Sequence, residues 1–120
     1  MEIWINPACS KCRGALEILD AEGASYTVRR YLEDVPTADE IRAVLDRLAL
    51  DPWDITRTRE PDARALGLAG WARDTGTRER WIDALARHPR LIQRPIITAE
   101  DGTAVVARDE DTVREALRRR

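Results

Sequence analysis

The chain is predicted to be an α/β protein with a four-stranded mixed sheet, its strands arriving as β-α-β and then β-β-α on either side of a helical insertion at about residues 37–90. Three observations carry that prediction. Two short runs of strand formers, residues 2–5 and 25–31, flank a pattern of helical period. The middle of the chain has helical spacing and many breakers but no comparable strand run. Two further β-branched runs, residues 96–98 and 103–106, flank a turn and lead into a last helical pattern. A chain of 120 residues is expected to be one domain, large enough to bury a core without disulfides.

Taken in order, residues 2–5 read as a buried strand that stops at Asn6-Pro7. Ser10 is expected to cap the helix that follows. Cys12, Ala15, Leu16 and Leu19 fall at i, i+3, i+4 and i+7, and Gly23 supplies the stop. The strand at 25–31 then returns beside the first, parallel to it because a crossover helix intervenes, with a right-handed connection. Thr37-Ala38-Asp39-Glu40 matches a capping box, and Ile41, Val44, Leu45 and Leu48 continue it as an amphipathic helix. Residues 51–76 are broken by Pro52, Pro61, Gly67, Gly70 and Gly76, which predicts short helices and exposed loops. Helical spacing resumes at 77–88, with Trp81, Ile82 and Leu85 on one side and Pro89 past the end. Residues 96–98 and 103–106 are expected to form an antiparallel hairpin around the four-residue loop 99–102. Asp109, Glu110 and Asp111 open a last helix that buries Val113, Ala116 and Leu117 and ends in arginines, the charge order a helix dipole favours. There are no internal repeats and no low-complexity segment.

The chemistry points to Asn6-Pro7-Ala8-Cys9-Ser10-Lys11-Cys12-Arg13, which holds both cysteines. A cysteine where a strand gives way to a helix meets unpaired N–H groups and the positive end of the dipole, so Cys9 is expected to ionise readily. Cys12 lies about one turn on, a spacing that lets the two thiols form a redox pair. The alternatives are two buried packing cysteines, or half of a zinc site. Zinc has little support, because the only histidine, His88, is far away in sequence. Composition narrows the classes. Charged residues make up 35% of the chain and net charge is −2, with both signs interspersed and Lys11 the single lysine. No basic stripe suggests nucleic acid. Without a leader or an apolar run near the ~20 residues of a membrane span, a soluble, cytoplasmic protein with reduced thiols is expected.

The predicted element order is that of the thioredoxin fold, which keeps its reactive cysteine at the first strand-to-helix junction. More specifically, Asn6-Pro7-Ala8-Cys9, Tyr31-Leu32-Glu33, Leu66-Gly67-Leu68, His88-Pro89 and Leu91-Ile92-Gln93-Arg94-Pro95-Ile96-Ile97 resemble the glutaredoxin-linked arsenate reductases over essentially the whole chain. The resemblance implies that Cys9 is the arsenate nucleophile and that Arg57, Arg94 and Arg108 surround the oxyanion. Arg59, beside Glu60-Pro61, competes with Arg57 for its place. Planar guanidinium forks suit an arsenate, which resembles phosphate. Pro95 resembles the cis-proline that thioredoxin-like folds set opposite the reactive cysteine. The resemblance implies no bound cofactor or metal, and an external thiol donor: glutathione with glutaredoxin, or another thiol system. Two departures matter. Ile5 stands where the best-studied branch has a histidine that helps ionise the cysteine, so cations such as Arg13, which joins the candidate oxyanion ligands, or Lys11 are expected to contribute. Cys12, commonly absent from that branch, allows an internal disulfide. Two other readings share the fold: an Spx-type redox regulator, whose partner would be RNA polymerase, and a general thiol-disulfide oxidoreductase.

Overall fold

The computed structural model of the protein describes all of residues 1–120. In chain order the elements are β1 (Glu2–Ile5), α1 (Ser10–Ala21), β2 (Thr27–Arg30), α2 (Ala38–Leu48), α3 (Pro61–Leu66), α4 (Arg78–Arg87), β3 (Ile96–Thr98), β4 (Ala104–Val106) and α5 (Glu110–Arg118). Single 3-10 turns lie at Pro52–Ile55, Leu68–Gly70 and Pro89–Leu91. The chain divides into two compact units, one made of Met1–Asp34 with Arg94–Arg120, the other of Val35–Gln93.

The first unit holds the sheet, in the order β2-β1-β3-β4. β1 runs parallel to β2 and antiparallel to β3, and β3 pairs antiparallel with β4, which is the mixed four-stranded sheet predicted. Alternation along β1 sends Ile3 and Ile5 to one face. There they join Cys12, Ala15 and Leu19 of α1, Ile97 of β3, and Val113 and Ala116 of α5 in one apolar cluster. Trp4 is buried on the other face, with the Arg29 guanidinium 5.5 Å from its ring centroid and its Nε1 donating to Glu2 at 2.8 Å.

Several boundaries differ from expectation. β2 is shorter than 25–31, because Arg30 is the last residue in register with β1, opposite Ile5. Thr98 faces Ala104, so residues 99–103 connect the hairpin where 99–102 was expected. Thr103 is drawn out of β4 by Asp101, whose Oδ1 accepts from both its N–H (2.9 Å) and its hydroxyl (2.6 Å). Gly102, with φ of 86°, takes the left-handed turn conformation. Ser10 does not cap α1; it is the first helical residue, and Cys9 occupies the cap position.

The second unit is helical. Thr37 and Glu40 form the predicted capping box on α2, each side chain accepting from the other's backbone N–H at 3.1 Å. Its core is mostly aliphatic, built from side chains such as Ile41, Leu45, Ile82, Leu85 and Leu91, around one buried indole. Trp81 of α4 is fully buried, edge-on to Trp53 (centroids 6.1 Å apart) and Trp71 (5.5 Å), and donates through Nε1 to the Ala72 carbonyl at 2.9 Å. The Arg80 guanidinium lies 3.7 Å from the Trp71 ring centroid. Residues 51–76 do form the short helices expected, yet Ile55, Ala63 and Leu68 are buried, so the segment is core as well as loop. A bridge between Thr56 and Ile92 ties it to the turn after α4, with Arg57 N–H on Leu91 O and Gln93 N–H on Ile55 O, both 2.7 Å.

Candidate active site

The site in the first unit begins with the turn that ends β1. Cys9 N–H donates to Asn6 O at 2.9 Å and Ala8 N–H to Asn6 Oδ1 at 3.0 Å, so Asn6 closes the turn with both its backbone and its side chain. Arg13 N–H then donates to Cys9 O at 3.1 Å, the first bond of α1. Cys9 is thus the N-cap, in extended conformation (φ −86°, ψ 125°). A cap residue normally offers an oxygen to the free N–H groups of the first turn. Here that position carries a sulfur, and no conventional side-chain cap closes the helix.

The consequence is electrostatic. Burial works against the Cys9 thiolate, but the N–H groups of Cys12 and Lys11, the Arg94 guanidinium and the Cys12 thiol, all hydrogen-bonding to its sulfur, outweigh that effect and lower its pKa from 9.0 to about 6. Cys12 moves the other way. Burial raises its pKa to about 11, and the Cys9 charge adds to the rise against the pull of the Asn6 N–H and Arg94. The two cysteines are therefore not a symmetrical pair: at neutral pH Cys9 is mainly thiolate and Cys12 is a protonated thiol with no exposed surface.

The remaining predicted site residues divide by position. The Arg94–Pro95 peptide is cis, as the resemblance implied. Arg108 follows β4, and its Nη1 donates to the Arg94 carbonyl at 2.6 Å. Arg13 is exposed and donates to Pro7 O at 3.2 Å, lying back over the turn. Lys11 is also exposed; Arg108 and Lys11 line a cleft of about 280 Å³ between the starts of α1 and α5, shared with Asp109 and Glu110. The Asp109 carboxyl there is held below its ordinary range by the Thr112 N–H and hydroxyl, with a smaller contribution from Lys11. Arg57 belongs to the second unit, where its Nε meets Glu60 at 3.1 Å and its Nη1 donates to Gln93 Oε1 at 2.8 Å. His88 lies in that unit too, 3.8 Å from the Asp62 carboxylate. No group of three or more His, Cys, Asp or Glu side chains is placed to hold a metal ion.

Sequence reasoning missed two features of this site. Asn6 was read as turn punctuation, although Asn-Pro ahead of a cysteine signalled a side chain able to bond two residues on. The bond from Arg108 to the Arg94 carbonyl had a signal only in the hairpin register, which the sequence leaves uncertain by a residue.

A cysteine of lowered pKa at a helix start, with an arginine beside it, does not by itself name a reaction, and the comparison with known families narrows it. The profile of the ArsC family matches residues 4–116. The chain belongs to the ArsC family. Within it, the chain is 35% identical to the arsenate reductase of Escherichia coli K12, covering 96% of this chain and 79% of that protein. It is 32% identical to the arsenate reductase of Neisseria meningitidis serogroup B, over 98% and 97% of the two chains. A further relative, at 71% identity over 99% of this chain and all of the other, is the uncharacterized protein in the glnII region of Streptomyces viridochromogenes. Among solved structures, the arsenate reductase of Vibrio cholerae superposes with a TM-score of 0.81 at 29% identity, covering 100% of this chain and 98% of that one. The fold of this ArsC-family chain is therefore the thioredoxin-like one that its element order predicted. No helix of it is long and apolar enough to cross a membrane.

Proposed function

We propose that the protein reduces arsenate to arsenite through a covalent adduct on Cys9. The observation that carries this reading is the Cys9 thiolate at the start of α1 with the Arg94 guanidinium on its sulfur. Attack of an anionic sulfur on an anionic oxyanion needs positive charge where the two meet, and Arg94 and the helix start supply it. The Cys9 sulfur bonds to arsenic and one arsenate oxygen leaves as water after taking up protons. A second thiolate then attacks the Cys9 sulfur; the sulfur–arsenic electron pair stays on arsenic, arsenite departs, and a disulfide remains. The oxyanion ligands are Arg94, Arg108 and Arg13 of the first unit, with Arg57 assigned from the family resemblance.

Glutathione, recycled by glutaredoxin, is the proposed external thiol, acting in the cytoplasm and without a bound cofactor. Cys12 offers an internal route, favoured by the hydrogen bond that its thiol makes to Cys9. Arsenate-dependent NADPH oxidation tests the reading, with glutathione and glutaredoxin or with a thioredoxin system as donor. Wild type is expected to turn over with at least one donor and Cys9→Ala with none; Cys12→Ser separates the external from the internal route. Wild type inactive with every donor would sink the enzyme reading and leave a redox regulator or a general thiol oxidoreductase.

A further inference from the structure

The hairpin contains a bond that the oxyanion reading does not use. In the β3–β4 register Ile96 faces Val106, Ile97 faces Val105 and Thr98 faces Ala104. Carried back toward the open end, the same register sets Pro95 opposite Ala107 and Arg94 opposite Arg108. Ala107 N–H does donate to Pro95 O, at 2.9 Å. At the next pair it is the Arg108 side chain that donates to Arg94 O, Nη1 at 2.6 Å. In an antiparallel ladder hydrogen-bonded pairs alternate with unbonded ones, and 94/108 is an unbonded pair next to the bonded 95/107, so the guanidinium gives the Arg94 carbonyl a donor that the ladder itself would not supply.

That carbonyl belongs to the residue whose side chain meets the reactive sulfur. Two adjacent carbonyls, those of Arg94 and Pro95, are held from one short segment, 107–108. Fixing both carbonyls fixes the backbone from which the long Arg94 side chain starts. A long, rotamer-rich side chain holds a target well only when its root is held. Arginine suits the task because one N–H of its fork can be given to a carbonyl while its charge is kept.

We propose that Arg108 is a positioning residue: by holding the Arg94 carbonyl it aims the Arg94 guanidinium at the Cys9 sulfur. Its main effect on the reaction passes through Arg94, separately from any contact of its own with the oxyanion. The inference rests on Cys9 being the reactive thiol with Arg94 as its partner.

The test is a double-mutant cycle read without arsenate. The pH dependence of Cys9 alkylation by iodoacetamide is measured, in a Cys12→Ser background so that one thiol reports, for the parent, Arg94→Met, Arg108→Met and the double variant. Arg94→Met is expected to raise the midpoint by about one pH unit through loss of the direct bond, and Arg108→Met by somewhat less. The double variant is expected to match Arg94→Met alone, because Arg108 then has nothing left to aim. Arg108→Lys, which keeps the charge and one donor, is expected to recover part of the shift and covers the case in which Arg108→Met folds poorly. Additive shifts would mean that Arg108 acts on the sulfur directly and would overturn the proposal. So would an unmoved midpoint in Arg108→Met together with a raised one in Arg94→Met, leaving the reading of Cys9 and Arg94 intact. An unmoved midpoint in Arg94→Met would remove the partnership beneath both.

Discussion

Arginine is used differently in the two units. In the second, arginines meet carboxylates: Arg42 grips Glu79 (2.6 Å) and Asp39, Arg78 reaches Asp51 at 2.5 Å, and Arg57 pairs with Glu60. Around Cys9, Arg13 and Arg108 are instead held by main-chain carbonyls, those of Pro7 and Arg94. The distinction follows the site rather than the unit, since Arg114 of α5 pairs with Glu22 and Glu110. A carboxylate fixes a guanidinium and cancels its charge; a carbonyl fixes it and leaves the charge to act on something else. Beside a thiolate proposed to meet an anion, the second arrangement is the useful one. The cores differ as well, since the second unit adds a cluster of edge-on indoles to its aliphatic side chains and the cluster beneath Cys9 has none.

Removing the aromatic keystone should give the largest effect on stability. Trp81→Ala leaves a large cavity and removes one of the two donors on the Ala72 carbonyl, the Thr77 hydroxyl being the other, and is expected to cost about 3–5 kcal/mol in a urea melt. A cost under about 1 kcal/mol would show that the indoles are a periphery rather than a core. Arg94→Ala strikes the other pole of the comparison. It is expected to lower kcat/KM for arsenate by about 10²-fold, as loss of one preorganised donor does, while the urea midpoint hardly moves. The reverse pattern would make Arg94 a structural residue.

Placing a carboxylate next to the sulfur breaks the comparison on purpose. With a pKa of about 6, Cys9 is thiolate above that pH and is protonated below it, so alkylation should slow as pH falls through 6 rather than through the ordinary value of 9.0. Ala8 is exposed and adjoins Cys9. Ala8→Asp is expected to lift the midpoint by about one unit, slowing alkylation at pH 6 several-fold. High salt should shrink the difference. The smallest effect belongs to Thr37→Ala, which removes the α2 cap and should cost about 1 kcal/mol without altering arsenate turnover.

Local rules made much of this legible beforehand. A capping box at Thr37–Glu40, a short apolar run before Asn6-Pro7, and acidic residues opening α5 each specify their element from a few neighbouring residues. The lowered pKa of Cys9 was legible for the same reason, since a strand-to-helix junction fixes its surroundings. What remained hidden depended on partners distant in sequence. Residues 51–76 have weak periodicity because the half-buried Trp53 and Trp71 pack edge-on against Trp81 of another element, not along a helix face of their own. The Arg108 bond depends on a hairpin register that Asp101 and Thr103 set by one residue. The expectation of Ser10 as cap followed the residue preference of capping positions, whereas the turn closed by Asn6 moves the helix start so that Cys9 takes the position.

Because the sulfur sits at the N-cap, the chemical state of Cys9 is written into the first turn of α1. As thiolate it attracts the amide protons of Lys11 and Cys12; bonded to arsenic, as proposed, or to another sulfur it would lose the charge that attracts them. Those two amides would then be an internal gauge of the proposed cycle. Their proton resonances and exchange rates with deuterium distinguish resting, adduct and disulfide forms without any label on the substrate.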